Sequence, residues 1–572
     1  MNKKHARSFQ LFWLPLFIAV GTLIISTSLL YLTAGVYGTI EGFTDTATYM
    51  SGAINLVQGH GLSLKVYDMA NDTIVWQPIT HYPPLTSIVY AGFLLLGIPL
   101  VSVPAATSLC CWVLLLSGIG VLAYRLSGSW WAAATSMVIA SLTSSYLIIF
   151  QTTMSEPLFL PLLVWSVVLL VDLPAQETIP PLRMTAIIAL LALLMLTRYA
   201  GIALFTVIVL WWFWRRFKHQ QIRCLLGEVV ILSTAFLPVA AWIVRNKLSQ
   251  ASTLGYHLSE SEYTFWDGVS GVLNQFSQLL VPALKSLTPL AELQGEDWGN
   301  LEPLIPWLHA GVQLAVLGIL FLLGRRLWQF AQRHPQTEPL LKRSPILPII
   351  AIFLALYVFV QPFASFWPMD YRDSTTMLCL AQPYLVALLI RVLQSKAIAV
   401  LSIYVGVNLL LVSVPVALYG VPGVISFTPL QVKDLARNVE EIEYYNKHGI
   451  PEWLLITYSR TRYVDRHHPQ FKAFLHQLDR EIAIVSSMSH ILFYDEQRDY
   501  LPAISMRAKY RDMDHWLQEG QCQSQYNTLL VLDPGVSDAY RDWFIAKTAQ
   551  KCPSLEPFVV DGMLVYRLGH QG

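Results

Sequence analysis

Charge is scarce in this chain. Only 13% of its 572 residues are Asp, Glu, Lys or Arg, about half the share of a soluble globular domain. That shortage argues against a protein that keeps a solvated surface all round, and a hydrophobic share of 54% with mean hydropathy +0.48 points to a polytopic membrane protein. An excess of either sign is missing as well: the net charge is +1, a balance that by itself says nothing about nucleic acid, but no basic surface interleaved with aromatics suggests such a partner and none is expected. Internal repeats of fixed period and low-complexity segments are absent. Cysteine is sparse, with six in the chain. Asp465-Arg466-His467-His468 lacks the spaced partners of a zinc site, and no glycine loop has the pattern that cradles phosphate.

The long apolar runs carry the organisation. After the basic start MNKKHAR, residues 11–38 exceed the roughly 20 residues that cross the hydrocarbon. The run is also longer than the core of a secretory signal and has no small-residue cleavage site, so an uncleaved span with a cytoplasmic N-terminus is expected. Further apolar segments near 102–124, 130–150, 157–172, 184–197, 200–213, 225–243, 306–324, 345–363, 374–393 and 397–419 bring the total to about eleven crossings. In that threading Arg125, the clusters at 214–223 and 324–344, and Arg391 with Lys396 all fall inside, as the positive-inside rule requires. The stretch 84–98, which opens with Pro83-Pro84, is then a re-entrant or interfacial piece on the outer side. Residues 39–101 form a first outer loop and 244–305 a large one. The expected architecture is a membrane all-α bundle over 1–424, in the cell (plasma or inner) membrane, followed by an extracytoplasmic α/β domain over 425–572. In that tail 452–459, 482–488, 527–534 and 556–568 read as strands, 536–550 has helical spacing, and Cys522 and Cys552 can pair in an oxidising compartment.

Several ionisable residues gather at the outer ends of these spans: Glu41, Asp45, His81, Glu156, Arg198, Arg245 and the Tyr371-Arg372-Asp373 run. Such groups are costly at membrane depth and usually mark a pathway or a site. Each also has a plain reading. Thr44 or Asp45 can cap a helix running to about Gln58 and closed by Gly59. Glu41 suits a solvated loop, and His81 a loop before a proline-started helix. Glu156 suits a helix dipole, Arg198 and Arg245 can snorkel, and Arg372 can pair with Asp370 or Asp373. The Asp512-Met513-Asp514 pattern precedes a helix-like segment in which Asp514 is a natural cap, so no nucleotide-sugar site is read there.

Taken in order, an acid after the first span, a helix ending in QGHG, YPPL leading back to the membrane, an acid in TTMSEP, TRYAG and WIVRN resemble the bacterial GT-C glycosyltransferases. The resemblance spans roughly 10–420 and is nearest to the branch of the protein O-mannosyltransferases and the lipid A aminoarabinose transferase. It implies a sugar donor on polyprenyl phosphate or pyrophosphate and transfer on the extracytoplasmic side to a glycan, lipid or protein acceptor. It carries the first-loop acid onto Asp45 and the second onto Glu156. The first loop has Thr-Asp-Thr in place of adjacent acids, which leaves Glu41 as a further acidic candidate. Asp45 is the candidate base, while Arg198, Arg245 and Arg372 compete to bind the leaving phosphate. His81, Tyr82 and Tyr199 stand beside them as substrate contacts. A divalent metal shared by Glu156, His81 or Glu41 could do the same work as an arginine, and these ligands alone do not establish one. The rival from another class is a transporter or flippase of lipid-linked or small anionic substrates, which would bind cargo with the same charges; the absence of an inverted repeat speaks against it.

Overall fold

Unbroken apolar runs have no water to bond their backbone in a bilayer, and the α-helix satisfies every interior N–H and C=O within the segment. The chain follows this rule in the computed structural model, which describes residues 14–28, 43–68, 73–80, 82–143, 154–171, 180–217, 222–249, 346–351, 371–393, 483–486, 500–502, 528–532, 555–560 and 563–568, with a few isolated positions between them. Among the described residues the helices include α1 (Leu14–Ser28), α2 (Phe43–Val57), α3 (Leu85–Leu95), α4 (Val103–Ser127), α5 (Trp130–Leu142), α6 (Glu156–Val171), α7 (Pro181–Thr197), α8 (Ala200–Phe217), α9 (Ile222–Ser233), α10 (Leu237–Leu248) and α11 (Tyr371–Leu393).

Among the described residues two helical stretches are long and apolar enough to cross a membrane, Val103–Ser127 and Gly227–Leu248. The second runs from α9 through a 3-10 turn at Thr234–Phe236 into α10. The 25 residues of α4 reach roughly 37 Å against about 30 Å of hydrocarbon. The predicted crossing at 130–150 is not one helix: α5 stops at Leu142, and Thr143 turns extended at φ −83°, ψ 115° while its hydroxyl donates to the Ile139 carbonyl at 2.7 Å. A β-branched residue that bonds its own preceding turn competes with helix continuation. The predicted crossings at 306–324 and 397–419 lie outside the described residues. Only 346–351 of the segment 345–363 is described, and it is helical.

α4 sits at the centre, packed against α5, α6 and α11. Trp112, Leu115, Leu116 and Ile119 are fully buried on it. The Trp112 ring meets Phe150 edge-on at 5.0 Å, and its indole N–H donates to the Ser26 hydroxyl of α1 at 3.2 Å. One end of the bundle collects arginines at the last turn of α6, where helix carbonyls lack partners. Arg125 donates to the Val168 carbonyl at 3.0 Å and Arg183 to that of Leu169 at 2.9 and 2.6 Å.

The first loop folds at the opposite end. Its strands β1 (Ser63–Asp68) and β2 (Thr73–Pro78) form an antiparallel hairpin, Ser63 opposite Pro78 and Asp68 opposite Thr73. The turn from α2 into β1 is the Gln58-Gly59-His60-Gly61 stretch, and both glycines adopt positive φ, 86° and 71°. A side chain at either position would be strained, which explains the QGHG spacing. His60 stacks on Trp76 of β2 at 3.9 Å, and the Asn55 amide on α2 donates to the Ser63 carbonyl at 2.7 Å. α3 follows the hairpin. Its 11 residues cover only about 16 Å, half the hydrocarbon thickness, and it packs on α2 and the start of α4.

Near the C-terminus β3 (Ala483–Ser486), β4 (Tyr500–Pro502), β5 (Thr528–Leu532), β6 (Phe558–Val560) and β7 (Met563–Leu568) build a sheet in the order β4-β3-β5-β7-β6. β3 is parallel to β4 and β5, while β7 is antiparallel to β5 and β6. Three of the strand segments expected in the tail are strands here, β4 is additional, and 452–459 lies outside the described residues. Strand β1 of the first loop lies beside β4 at the edge of this sheet.

Candidate functional site

The site is assembled from helix ends. Glu156 is the first residue of α6, where the free N–H groups and dipole of a helix start favour a carboxylate. It is 2% exposed, so an unmatched charge there would be costly. Arg198 supplies the match. The residue ends α7 in an extended conformation, φ −149° and ψ 141°, and its guanidinium forms an ion pair with Glu156. Ser155 stands between them, its hydroxyl donating to Glu156 Oε2 at 3.3 Å while Arg198 Nη1 donates to Ser155 Oγ at 3.4 Å. The turn that aims Arg198 is tight, with the Gly201 amide bonded to the Arg198 carbonyl at 2.9 Å. A Cβ on Gly201 would fall 2.7 Å from the Leu194 carbonyl oxygen, so TRYAG requires glycine for close backbone approach.

α3 closes the side of this pair. Tyr90 is 2% exposed, and burial pushes its phenol well above the ordinary value, with the Cys111 thiol and the Glu156 carboxylate adding to the shift. Tyr90 therefore stays a neutral hydroxyl near the Glu156 charge. Tyr199, adjacent to Arg198, turns to the first loop and donates from its hydroxyl to the Thr80 carbonyl at 3.3 Å. Tyr82, two residues further, packs its ring on Tyr49 of α2 at 5.2 Å.

Asp45 lies in the first turn of α2, one turn before Tyr49, so the helix begins ahead of the cap position read from the sequence. Its side chain, that of Arg372 in the first turn of α11, and the whole of Glu41 and His81 lie outside the described residues. α11 runs from this end of the bundle: its C-terminal half packs on the basic end of α4 and the start of α5, Val386 clustering with Ala123 and Ala132. Arg245 stands in the last turn of α10, and its guanidinium is engaged by first-loop carbonyls, Nη1 to Ile79 at 2.7 Å and Nη2 to Leu62 at 3.0 Å.

Tyr199 and Arg245 thus bind the first loop, which carries Tyr82, and Glu156 pairs with Arg198, the chain neighbour of Tyr199. Ser155, Tyr90, Trp242 and Asn246 join them without having been singled out in the sequence. For Asn246 the signal was available, a polar residue beside Arg245 in an apolar stretch. Among the described residues no three His, Cys, Asp or Glu side chains come together to hold a metal ion.

Two crystal structures of ArnT from Cupriavidus metallidurans, one apo and one bound to undecaprenyl phosphate, are similar to this chain over 96% of its length and 97% of theirs, with TM-scores of 0.54 and 0.53 at 15% identity. The chain has the ArnT fold. The resemblance to GT-C enzymes carried by the loop motifs is therefore met at the level of fold. The apo oligosaccharyltransferase of Archaeoglobus fulgidus is more distant, with a TM-score of 0.43 and 12% identity over 91% of this chain and 70% of that one. No family model and no curated protein matches the sequence. In this chain the Glu156–Arg198 pair, at the start of α6, and the first loop stand at the end of the bundle away from Arg125 and Arg183, which bond the last turn of α6.

Proposed function

We propose that this protein is a membrane glycosyltransferase that moves a sugar from a polyprenyl-phosphate-linked donor to an acceptor hydroxyl. The observation that carries the reading is a coincidence of fold and chemistry. The chain matches ArnT end to end, one ArnT structure holds undecaprenyl phosphate, and a buried carboxylate–arginine pair stands here where the first loop meets the bundle.

In the proposed reaction the acceptor O–H gives its proton to the Asp45 carboxylate as its oxygen bonds to the anomeric carbon. The bond from that carbon to the phosphate oxygen breaks, and its electron pair leaves with the polyprenyl phosphate. Attack opposite the leaving group inverts the anomeric centre. A placed base contributes about 10²- to 10⁴-fold in rate. The leaving phosphate is a stable anion and gains most from fixed positive charge. Arg198, partly exposed and oriented by Glu156, is our first choice for that contact, with Arg372 at the start of α11 as the second. Arg245 is assigned to the loop because its fork is occupied by two carbonyls. His81, Tyr82 and Tyr199 are the candidate substrate contacts, and Glu41 is the alternative acid. A divalent cation held by Glu156 and His81 would polarise the same phosphate, but Glu156 already faces a cation in Arg198.

We place the site on the extracytoplasmic side of a plasma or inner membrane. The arginines Arg125 and Arg183 gather at the other end, as the positive-inside rule expects of a cytoplasmic end. In the tail Cys552 is disulfide-bonded, with its partner outside the described residues, and disulfides persist in oxidising compartments.

The test is transfer of radiolabelled sugar by the purified protein from a panel of polyprenyl-phosphate sugars, native against Asp45→Asn, with and without chelator. Native protein should yield labelled product, and Asp45→Asn should lose at least about 10²-fold of the rate with donor binding intact. Donor binding without turnover by native protein across the panel would instead favour transport.

A further inference from the structure

A second polar network joins the last turn of α10 to the base of the first-loop hairpin, and the glycosyl-transfer steps above give its Arg245 and Asn246 no part. Leu62 immediately precedes β1, and Ile79 and Thr80 immediately follow β2. The Ile79 amide bonds to the Leu62 carbonyl at 3.1 Å, which leaves the Ile79 and Thr80 carbonyls at the edge of the hairpin. Arg245 spans the base, donating to Ile79 at 2.7 Å and to Leu62 at 3.0 Å. Asn246 is fully buried beside it; its Oδ1 accepts from Arg245 Nη1 at 3.1 Å and its Nδ2 donates to the Thr80 carbonyl at 3.2 Å. Tyr199 donates to that same Thr80 carbonyl, and the Trp242 indole donates in turn to the Tyr199 hydroxyl at 3.3 Å. The Arg245 guanidinium lies 4.6 Å over the Trp242 ring, which fixes the fork from its other face.

Two features make this more than a loop anchor. The carbonyls held are those of the residues just before His81 and Tyr82, and one of the donors, Tyr199, is the neighbour of Arg198. The network therefore ties the backbone leading to the Tyr82–Tyr49 contact, and with it α2, to the chain neighbour of Arg198. Arg245 and Asn246 come from the helix that leads into residues 250–305, so α10 is the common support.

We propose that Arg245 and Asn246 are positioning residues that register the first loop, with α2 and Asp45, against the Glu156–Arg198 pair; the proposal rests on the glycosyltransferase reading. A misplacement of about 1 Å between reacting groups can cost on the order of 10²-fold in rate while leaving donor contacts in place. Loss of the latch therefore acts on kcat and spares donor affinity. A phosphate-binding arginine would behave in the opposite way.

The experiment compares full-length native protein with Arg245→Gln, Arg245→Lys and Asn246→Asp. Arg245→Gln removes the charge and shortens the donor, Arg245→Lys keeps the charge without the fork, and Asn246→Asp replaces the Nδ2 donor with an oxygen. Amide hydrogen exchange over residues 60–82, binding of undecaprenyl phosphate, and kcat and KM with a turned-over donor are measured on each. Exchange over 60–82 should quicken at least several-fold in all three, undecaprenyl phosphate affinity should stay within about twofold, and kcat should fall on the order of 10- to 100-fold. Weakened undecaprenyl phosphate binding by Arg245→Gln, rescued by Arg245→Lys, with exchange unchanged, would make Arg245 a phosphate contact and overturn the proposal. Faster exchange with kcat unchanged would reduce the network to a structural anchor and also overturn it. Absence of turnover by native protein with every donor is a failure of the enzyme reading instead, separable because exchange still reports the latch.

Discussion

Glu156 and Arg198 stand 42 residues apart in sequence and in contact in space. Each was conspicuous as an ionisable residue in an apolar context; that one neutralises the other required the tertiary structure. Removing one partner of a buried pair costs roughly 3–5 kcal/mol. Arg198 is 27% exposed, so solvent screening brings the expected cost towards the lower end or below it. Arg198→Met should therefore lower the thermal midpoint in detergent, and adding Glu156→Gln should recover most of the loss by removing the stranded charge. Equal destabilisation of the single and double variants would mean that no stranded Glu156 charge causes the loss and would refute its neutralisation by Arg198. Asn246 could have been read as a polar residue beside Arg245 in an apolar stretch, but Tyr90 occupies an ordinary position on an apolar helix. Nothing local distinguishes a tyrosine in a core from one beside a buried carboxylate.

The helices follow from apolar run length, and the exceptions have local causes. α3 was expected to stop short of a crossing, and its 11 residues do so. α5 ends at Leu142, where Thr143 turns to an extended conformation. The β1–β2 hairpin was not anticipated, although Val66-Tyr67 and Ile74-Val75-Trp76 flank Asn71-Asp72 in a pattern that favours strands around a turn. Reading by membrane windows assigns such a segment to a loop. The turn into α8 supplies a test at this scale. Gly201→Ala would press a methyl against the Leu194 backbone, which cannot rotate away, and should destabilise by roughly 1–3 kcal/mol. Gly92→Ala, with open space around the added carbon on α3, should be neutral or stabilising by up to about 1 kcal/mol. Thermal unfolding of the two variants side by side decides it; a Gly201→Ala protein as stable as native would refute the close approach.

The whole molecule has two unlike ends, and the placement of each against the membrane is testable. A reporter fused after residue 425 should be active only outside the cytoplasm. Mass-tagging of thiols in the unfolded protein should modify Cys552 only after reduction, whereas Cys110, Cys111 and Cys379 are free. A cytoplasmic reporter signal would invert the proposed orientation of the site.

Composition and apolar run lengths by themselves determined the helical character of the bundle and pointed to a polytopic membrane protein, and the order of the loop motifs pointed to the fold, because each apolar run constrains its segment through its own residues. Strand spacing in the tail was legible for the same local reason. Only the tertiary structure decided which loop residue meets which helix end: Arg245 on the hairpin carbonyls, Arg198 on Glu156, β1 beside β4. Those contacts join residues far apart in the chain, and they depend on where folded elements end in space, which no window of sequence contains.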